Sequence, residues 1–371
     1  MRLKYYLMKV SVALLRGLYA PMKLRRTRNR ITIISRQSKS ITLDIALLSD
    51  YIRTNHPDTE CLVLVRFIEQ GILSKIHYGF HILSQMWAIA ASEVVVLDGY
   101  CITACVLNHK EDLQIVQMWH ALAAIKKFGY QTVDKESGHS RQVAKAMCMH
   151  RNYDHIIAPS IATGRIFADG FHSSEDKVKL LGLPRIDRIL EARAGTDAER
   201  EFREKIREEY GIKEGQEILL YVPTFRRGRN VDVASLREAI DEDRYRLVVK
   251  LHPLYDTEDV SDRKYSTYDW LKACDRVITD YSALGVEAAI IDKPLYYYVY
   301  DIDAYRQEVG LNVDPTEEMP QATALTSADL MRLLEEEYDY DSLARFRDRY
   351  ISVDMNNCTK QLGDFLYGLT L

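Results

Sequence analysis

No acidic residue occurs before Asp44, although 11 Lys or Arg fall in that stretch. With a formal net charge of −4, the remainder of the chain is left at about −15. No G-x-G-x-x-G fingerprint and no Walker A lysine loop is present, so NAD and ATP binding lose their main support. Cysteines are few and dispersed. Cys61, Cys101, Cys105, Cys148, Cys274 and Cys358 form no C-x-x-C pair and none lies at zinc-ligand spacing with histidine. They read as thiols of a reducing compartment, mostly buried. His139 and His150 lack ligand partners at useful spacing, and no metal site is expected. No internal repeat or low-complexity tract occurs. No apolar run is long enough to span a bilayer, because the N-terminal one is broken by Lys9 and Arg16.

What is present is a soluble globular composition, 47% hydrophobic and 28% charged. A length of 371 residues favours two domains. The basic start mixes charge with grease. Read as a helix, it puts Leu3, Tyr5, Tyr6, Leu7, Val10, Leu14, Leu15, Leu18 and Tyr19 on an apolar face. Arg2, Lys4, Lys9 and Arg16 fall on the other face. Lys23, Arg25, Arg26, Arg28 and Arg30 follow. Residues 1–30 therefore predict a basic amphipathic helix lying on an anionic membrane surface, peripheral and on the cytoplasmic face. A plain surface helix and a secretory signal are the other readings, the latter lacking a small-x-small cleavage site. Nucleic acid is not expected as a partner, since the rest of the chain is acidic.

Short apolar runs then alternate with segments of helical length. Strands are predicted at Ile31–Ser35, Cys61–Val65, Val94–Leu97, Gln114–Met118, His155–Ala158 and Val178–Leu181. The series resumes at Ile218–Val222, Leu247–Leu251, Arg276–Thr279 and Leu295–Val299. Runs this apolar, without strict alternation, fit parallel strands covered on both faces. The expected fold is α/β, with an N-terminal domain over 31–190, a charged linker helix over 191–215 and a C-terminal domain over 216–371. Ligands of such sheets bind beyond the strand C-termini.

Four segments end predicted strands, where functional loops belong. They are Gln117–Gly129, Tyr221–Arg226, Lys250–Pro253 and Thr279–Ser282. In the first, His120 is placed to accept a proton from an attacking hydroxyl; a satisfied structural histidine is the alternative. Lys126 is a candidate phosphate contact, whereas Lys127 reads as solvated. In the second, Arg226 is a candidate phosphate fork, or else one of the surface arginines of Arg226–Arg229. In the third, Pro253 biases His252 toward extended backbone and stops the strand, projecting the ring off the sheet edge. There it can donate to a phosphate oxygen. In the fourth, a helix starting after Ser282 turns backbone N–H groups and its positive dipole end upward, a ready anion site. Asp301-Ile-Asp303 superficially matches a metal-binding D-x-D, but a helix N-cap is the better reading. Tyr296–Tyr298 reads as core plus cleft wall.

Taken in order, these segments resemble the CDP-glycerol glycerophosphotransferase family of teichoic-acid synthesis, over roughly residues 90 to 365. The family's Trp-His-Gly element with a following Leu-Lys and Gly is matched by Trp119-His-Ala-Leu, Lys126 and Gly129. Its Pro-Thr-x-Arg loop is Pro223–Arg226, and its Lys-x-His-Pro is Lys250–Pro253. Its Asp-Tyr-Ser-Ser helix start is Asp280–Ala283. Its Pro-x-x-x-Tyr strand and Tyr-Asp-x-x-x-Tyr run from Pro294 to Tyr305. Leu181–Asp187 matches a Gly-x-Pro-Arg-x-Asp element. Two positions depart, Ala121 for glycine and Ala283 for the second serine. Neither removes a titratable group.

The resemblance implies two Rossmann-like domains facing across a cleft, the glycosyltransferase-B type. It implies a CDP-glycerol or CDP-ribitol donor held mainly by the C-terminal domain. An undecaprenyl-diphosphate-linked sugar would be the acceptor, with no cofactor. His120 would be the general base. His252, Arg226 and Ser282, with Thr224, Lys250, Asp280 and Lys126, would hold the diphosphate and the departing CMP. Helix dipole and cationic donors would replace a metal, so activity is expected in EDTA. A nucleotide-sugar glycosyltransferase of the same fold, or a non-catalytic membrane-associated binding protein, are the competing readings.

Overall fold

The computed structural model describes residues 2–68, 71–193, 195–226, 231–251, 262 and 264–370. His252 and Pro253 lie outside the described residues, as do residues 227–229 of the basic loop.

Two parallel sheets carry the fold. The first contains β1 (Arg30–Ser35), β2 (Glu60–Val65), β3 (Val94–Leu97), β4 (Gln114–Gln117), β5 (His155–Ala158) and β6 (Val178–Leu180), in the order β2-β1-β3-β4-β5-β6. The second contains β7 (Glu217–Val222), β8 (Tyr245–Val249), β9 (Arg276–Thr279), β10 (Leu295–Tyr298) and β11 (Thr323–Ala324), in the order β11-β10-β9-β7-β8. All ten expected strands form, with ends shifted by two residues at most. Two interior strands, β1 and β3, are buried along their whole length, which explains the unbroken Val-Val-Val-Leu of β3. The strand that sequence reading omits, β11, is two residues long.

Contacts divide the chain into two units. One comprises Met1–Leu122, Lys127–Asp187 and Ser352–Leu371; the other comprises Ala123–Lys126 and Arg188–Ile351. The expectation of one domain over 216–371 differs at its end. The C-terminal helix Cys358–Gly368 packs on the first unit, against α2 (Leu43–Asn55; α1 is Arg2–Met22). Tyr51 donates to Asp364 at 2.8 Å, and the rings of His56 and Tyr367 stack at 4.0 Å. Gly363 permits this approach, since a Cβ there would sit 2.4 Å from the Tyr51 ring. The expected linker helix is Asp197–Glu209, opened by a Thr196/Glu199 capping box, and its contacts place it in the second unit.

α1 is helical as expected, but it sits differently. Arg16, assigned to the outer polar face, turns inward and donates to the Val106 carbonyl at 2.7 Å. Tyr19 and Val12 are buried beside it, while Tyr6, Leu7, Val10, Leu14 and Leu18 are exposed. The helix thus docks through a mixed face and leaves an apolar one outside. Among the described residues no helix is long and apolar enough to cross a membrane. All six cysteines are unpaired thiols.

Candidate active site

The first unit offers a histidine held from several sides. β4 ends at Gln117, and the chain turns sharply through Trp119, whose φ of 58° is in the left-handed region. A tryptophan stays there only when its surroundings insist on it. Gln117 supplies part of that insistence. Its side-chain oxygen accepts from the Trp119 N–H at 2.9 Å, and its amide donates to the Gly99 carbonyl at 3.1 Å. Phe128 and Phe171 pack on the indole at 4.8 and 5.2 Å between centroids. Gly129, with φ of 57°, lets this cluster close, since a Cβ there would meet the Gly170 carbonyl at 2.1 Å.

His120 follows, exposed beyond the C-terminal end of the sheet. Its Nδ1–H donates to the Asp98 carbonyl at 2.9 Å. A carbonyl only accepts, so this bond selects the neutral tautomer with its lone pair on Nε2. The His120 carbonyl accepts in turn from Arg185 Nη2 at 2.9 Å. Arg185 is itself held by Asp44, which is 1% exposed, through its backbone N–H and its Nε, both at 2.8 Å. The Gly-Leu-Pro-Arg-Ile-Asp element thereby acquires a physical role that sequence reading did not assign. Arg185 clamps the histidine loop. Asp187 accepts the N–H groups of Cys358 and Thr359 at 2.7 and 2.9 Å and so caps the C-terminal helix. Below His120, Asp98 is buried; one carboxyl oxygen accepts from Ser35 at 2.6 Å and the other has no hydrogen-bond partner among the described residues. Burial pushes its pKa up to about 6, against the Ser35 hydrogen bond.

The second unit gathers most of the remaining candidates. Asp280 follows β9 and is fully buried. It accepts from the N–H of Thr224 at 2.8 Å, from that of Tyr281 at 2.6 Å and from Arg226 Nη1 at 2.7 Å. Arg226 also forks onto Asp301 through Nε at 2.7 Å and Nη2 at 3.0 Å. The Tyr281 hydroxyl donates to the same carboxylate at 3.0 Å, and its ring stacks on Tyr305 at 3.8 Å. Burial pulls the Asp301 carboxyl upward, but the Arg226 hydrogen bonds and charge overcome it and hold the group below the usual carboxylate range.

This arrangement corrects two expectations. Arg226 is neither a surface arginine nor an open phosphate fork, because its nitrogens are engaged by two carboxylates and the Thr224 carbonyl. Asp301 does stand at the N-cap position of Ile302–Glu308 but caps nothing with its side chain. Lys250 is likewise committed, its ammonium donating to the Asp262 and Tyr265 carbonyls. Burial lowers its pKa, opposed by Asp262. Tyr296, Tyr297 and Tyr298 are all core.

Three groups keep chemistry to offer. The Thr224 hydroxyl is buried and has no hydrogen-bond partner among the described residues. Ser282 is half-buried, and its hydroxyl oxygen accepts from Leu284 N–H at 3.3 Å at the start of the helix Leu284–Ile290. Lys126 is grouped with the second unit through its backbone, pairing with Leu311 and accepting from Asn312 at 3.0 Å. Burial lowers the pKa of its ammonium, Asp280 raises it and Arg226 lowers it. These are the charges that sequence placed far away. Among the described residues this ammonium makes no ion pair, so it is the cation in the set with donors to spend.

A family model for CDP-glycerol:poly(glycerophosphate) glycerophosphotransferases matches residues 18–368. The chain belongs to this family of enzymes. The glycerophosphotransferase is 27% identical over 330 residues to the teichoic acid ribitol-phosphate primase of Bacillus spizizenii, covering 84% of each chain. It is 26% identical over 306 residues to the teichoic acid glycerol-phosphate primase of Bacillus subtilis, covering 78% of this chain and 77% of that one. Its fold is like that of the wall teichoic acid polymerase TagF, with a TM-score of 0.72 at 19% identity over 99% of this chain and 97% of the other. The two sheets are those of a glycosyltransferase-B-like fold.

Proposed function

We propose that this glycerophosphotransferase moves glycerol phosphate from CDP-glycerol to a hydroxyl of a membrane lipid-linked acceptor, an undecaprenyl-diphosphate-linked sugar, in teichoic-acid or related polymer synthesis. The acceptor oxygen attacks the phosphorus bearing the glycerol. His120 Nε2 takes the hydroxyl proton, the new P–O bond forms, and the bond to the cytidylyl phosphate breaks with release of CMP. Such a transfer asks the protein mainly for in-line positioning and charge stabilisation. The observation that carries the reading is the His120 ring, locked in the tautomer a base requires and set at the C-terminal end of a parallel sheet.

In this reading the first unit receives the acceptor and the second holds the nucleotide. Lys126, Ser282, the Thr224 hydroxyl and His252 contact the diphosphate. Asp280 and Arg226 act one step back: their mutual pairing fixes the Thr224 and Tyr281 backbone, and Lys250 fixes its own loop. The enzyme works peripherally, at the cytoplasmic face of the membrane, with α1 as the contact. CDP-ribitol is the second donor to consider, because the ribitol- and glycerol-phosphate primases are almost equally similar to this chain.

The deciding experiment supplies purified protein with radiolabelled CDP-glycerol, CDP-ribitol or a UDP-sugar, together with a lipid-linked disaccharide, and follows nucleotide release. CMP release with glycerol phosphate on the lipid is expected. Turnover of the UDP-sugar alone would replace the proposal by a glycosyltransferase.

A further inference from the structure

Arg36 and Arg66 leave neighbouring strands of the first sheet at the same height. β1 and β2 pair with Ser35 opposite Val65, and the Arg66 N–H then donates to the Ser35 carbonyl at 3.0 Å. Arg36 is half-buried and Arg66 exposed, and neither makes an ion pair among the described residues. The buried Asp98 carboxylate engages Ser35 rather than Arg36. Two like charges side by side repel, and a half-buried guanidinium without a counter-charge is costly. An anion that bridges the pair removes both costs. Both arginines act on the same turn of α3 (Ile72–Ile89). Burial raises the Tyr78 pKa, and Arg36 opposes the rise. Burial lowers the His81 pKa, and Arg66 adds to the fall. The two rings lie 5.9 Å apart. His81 Nε2 is buried with no hydrogen-bond partner among the described residues, a polar group of the kind a bound molecule satisfies.

The pair stands at the same end of the sheet as the histidine. The Arg36 guanidinium lies 5.3 Å from the centre of the Tyr100 ring, and the Tyr100 hydroxyl donates to the Met147 carbonyl at 2.8 Å, which fixes that ring. Gln37 folds over Gly99, where a Cβ would sit 2.3 Å from its Nε2. His120 Nδ1 binds the Asp98 carbonyl. The bend Asp98–Tyr100 thus holds Arg36 at one end and the histidine at the other. In the strand order β2-β1-β3-β4, the ends of β1 and β2 stand about 10 and 14 Å from the end of β4. That offset suits a phosphate set back from the reacting hydroxyl by linked sugar rings, rather than the phosphorus under attack.

We propose that Arg36 and Arg66 form a phosphate subsite for the acceptor: they bind the diphosphate of a lipid-linked sugar and set its terminal hydroxyl at His120. Arginine is suited to this, because its planar fork matches phosphate oxygens in pairs. The subsite rests on the function given above, in which the first unit receives the acceptor and His120 is the base. It adds the residues that recognise the acceptor's charge. The donor diphosphate is the other source of such an anion. The groups assigned to it, Lys126, Ser282 and Thr224, all belong to the second unit, whereas both arginines belong to the first.

The test uses the full chain and two soluble acceptor analogues, so that no bilayer contributes. One is a disaccharide on a short-chain prenyl diphosphate; the other is the same disaccharide as a neutral alkyl glycoside. With the wild type, the diphosphate analogue should have the lower KM. Arg66→Gln should raise that KM about ten-fold, the effect of losing one charge-assisted hydrogen bond. Arg36→Gln with Arg66→Gln should raise it further, until the two analogues match, while KM for CDP-glycerol stays as in the wild type. Arg66 is exposed, so its single variant reads out even if the double variant fails to fold. Calorimetric binding of the diphosphate analogue without nucleotide gives a second readout that needs no turnover. Binding lost in the variants, with no CMP released by the wild type, would uphold the subsite and refute the transfer reaction. Three results overturn the subsite: variants that bind the diphosphate analogue like the wild type, a KM that rises for CDP-glycerol instead, or an equal loss with the neutral analogue, which marks a structural role.

Discussion

His120 owes its geometry to atoms distant in the chain. Asp98 supplies a carbonyl, Arg185 clamps the loop, and Asp44 holds Arg185. Replacing His120 by Ala should cut CMP release by roughly 10²–10⁴-fold, the usual worth of a positioned acid–base group. Arg185→Lys keeps the charge but not the fork. It should lower kcat about ten-fold or more with little change in KM for the nucleotide, because only the histidine loop is released. Equal loss in both constants would mean a merely structural arginine. Asp98 gives a pH prediction. Its folded pKa, about 6, lies above the ordinary 3.8, so its ionisation costs stability. That cost is absent at low pH, grows as pH rises from the ordinary value through the folded one, and is fully present above it. Asp98→Asn should therefore stabilise the protein at pH 7.5 by up to about 3 kcal/mol, and the gain should vanish near pH 3.5. Thermal melts across that range would show a constant gain if the carboxyl were not responsible.

Elements in this protein are legible mostly where they are apolar and continuous. The interior strands of both sheets form because their apolar runs are buried in a parallel sheet, a demand made locally, whereas β2 and β6 at the edges of the first sheet are only partly covered. β11 escapes notice because two residues carry no period. The helix starts at Ser160, Thr196 and Ser266 follow from side chains that accept a nearby N–H. The start at Cys358 does not: its flanking Asn357 offers no side-chain cap, and Asp187 does the work from another element. Asp187→Ala should then cost about 1–2 kcal/mol in urea unfolding, as for a lost N-cap. The Arg226 pair is a stronger case. Asp301→Asn leaves a nearly buried guanidinium with half its fork, at a cost of about 3 kcal/mol or more. A change below 0.5 kcal/mol would show the pair to be incidental.

On the scale of the whole molecule, the charge asymmetry and the family relationship govern behaviour. The positive start and the negative remainder belong to one chain, so vesicle binding should fall steeply as salt rises. The test is co-sedimentation with anionic vesicles at low and high ionic strength; salt-independent binding would assign the contact to apolar surface alone. Removing residues 2–30, the obvious deletion, would also uncover the packing sites of Val12 and Tyr19. Charge reversal at Lys23, Arg26 and Arg28 is therefore the cleaner variant.

By itself the sequence determined the α/β class, the strand positions, the family and the loops that carry its candidate residues. Each of these depends on local pattern: hydrophobic period, turn residues, and short motifs in fixed order. Tertiary structure alone decided which charged residues are spent inside the protein and which make no ion pair among the described residues. Arg226 and Lys250 look in sequence like the phosphate cations, yet carboxylates and carbonyls from other segments saturate them, while Lys126 keeps its donors. The same holds for Arg16, which turns inward to the Val106 carbonyl. A guanidinium or ammonium takes the partner that burial places beside it, and burial is set by the whole chain.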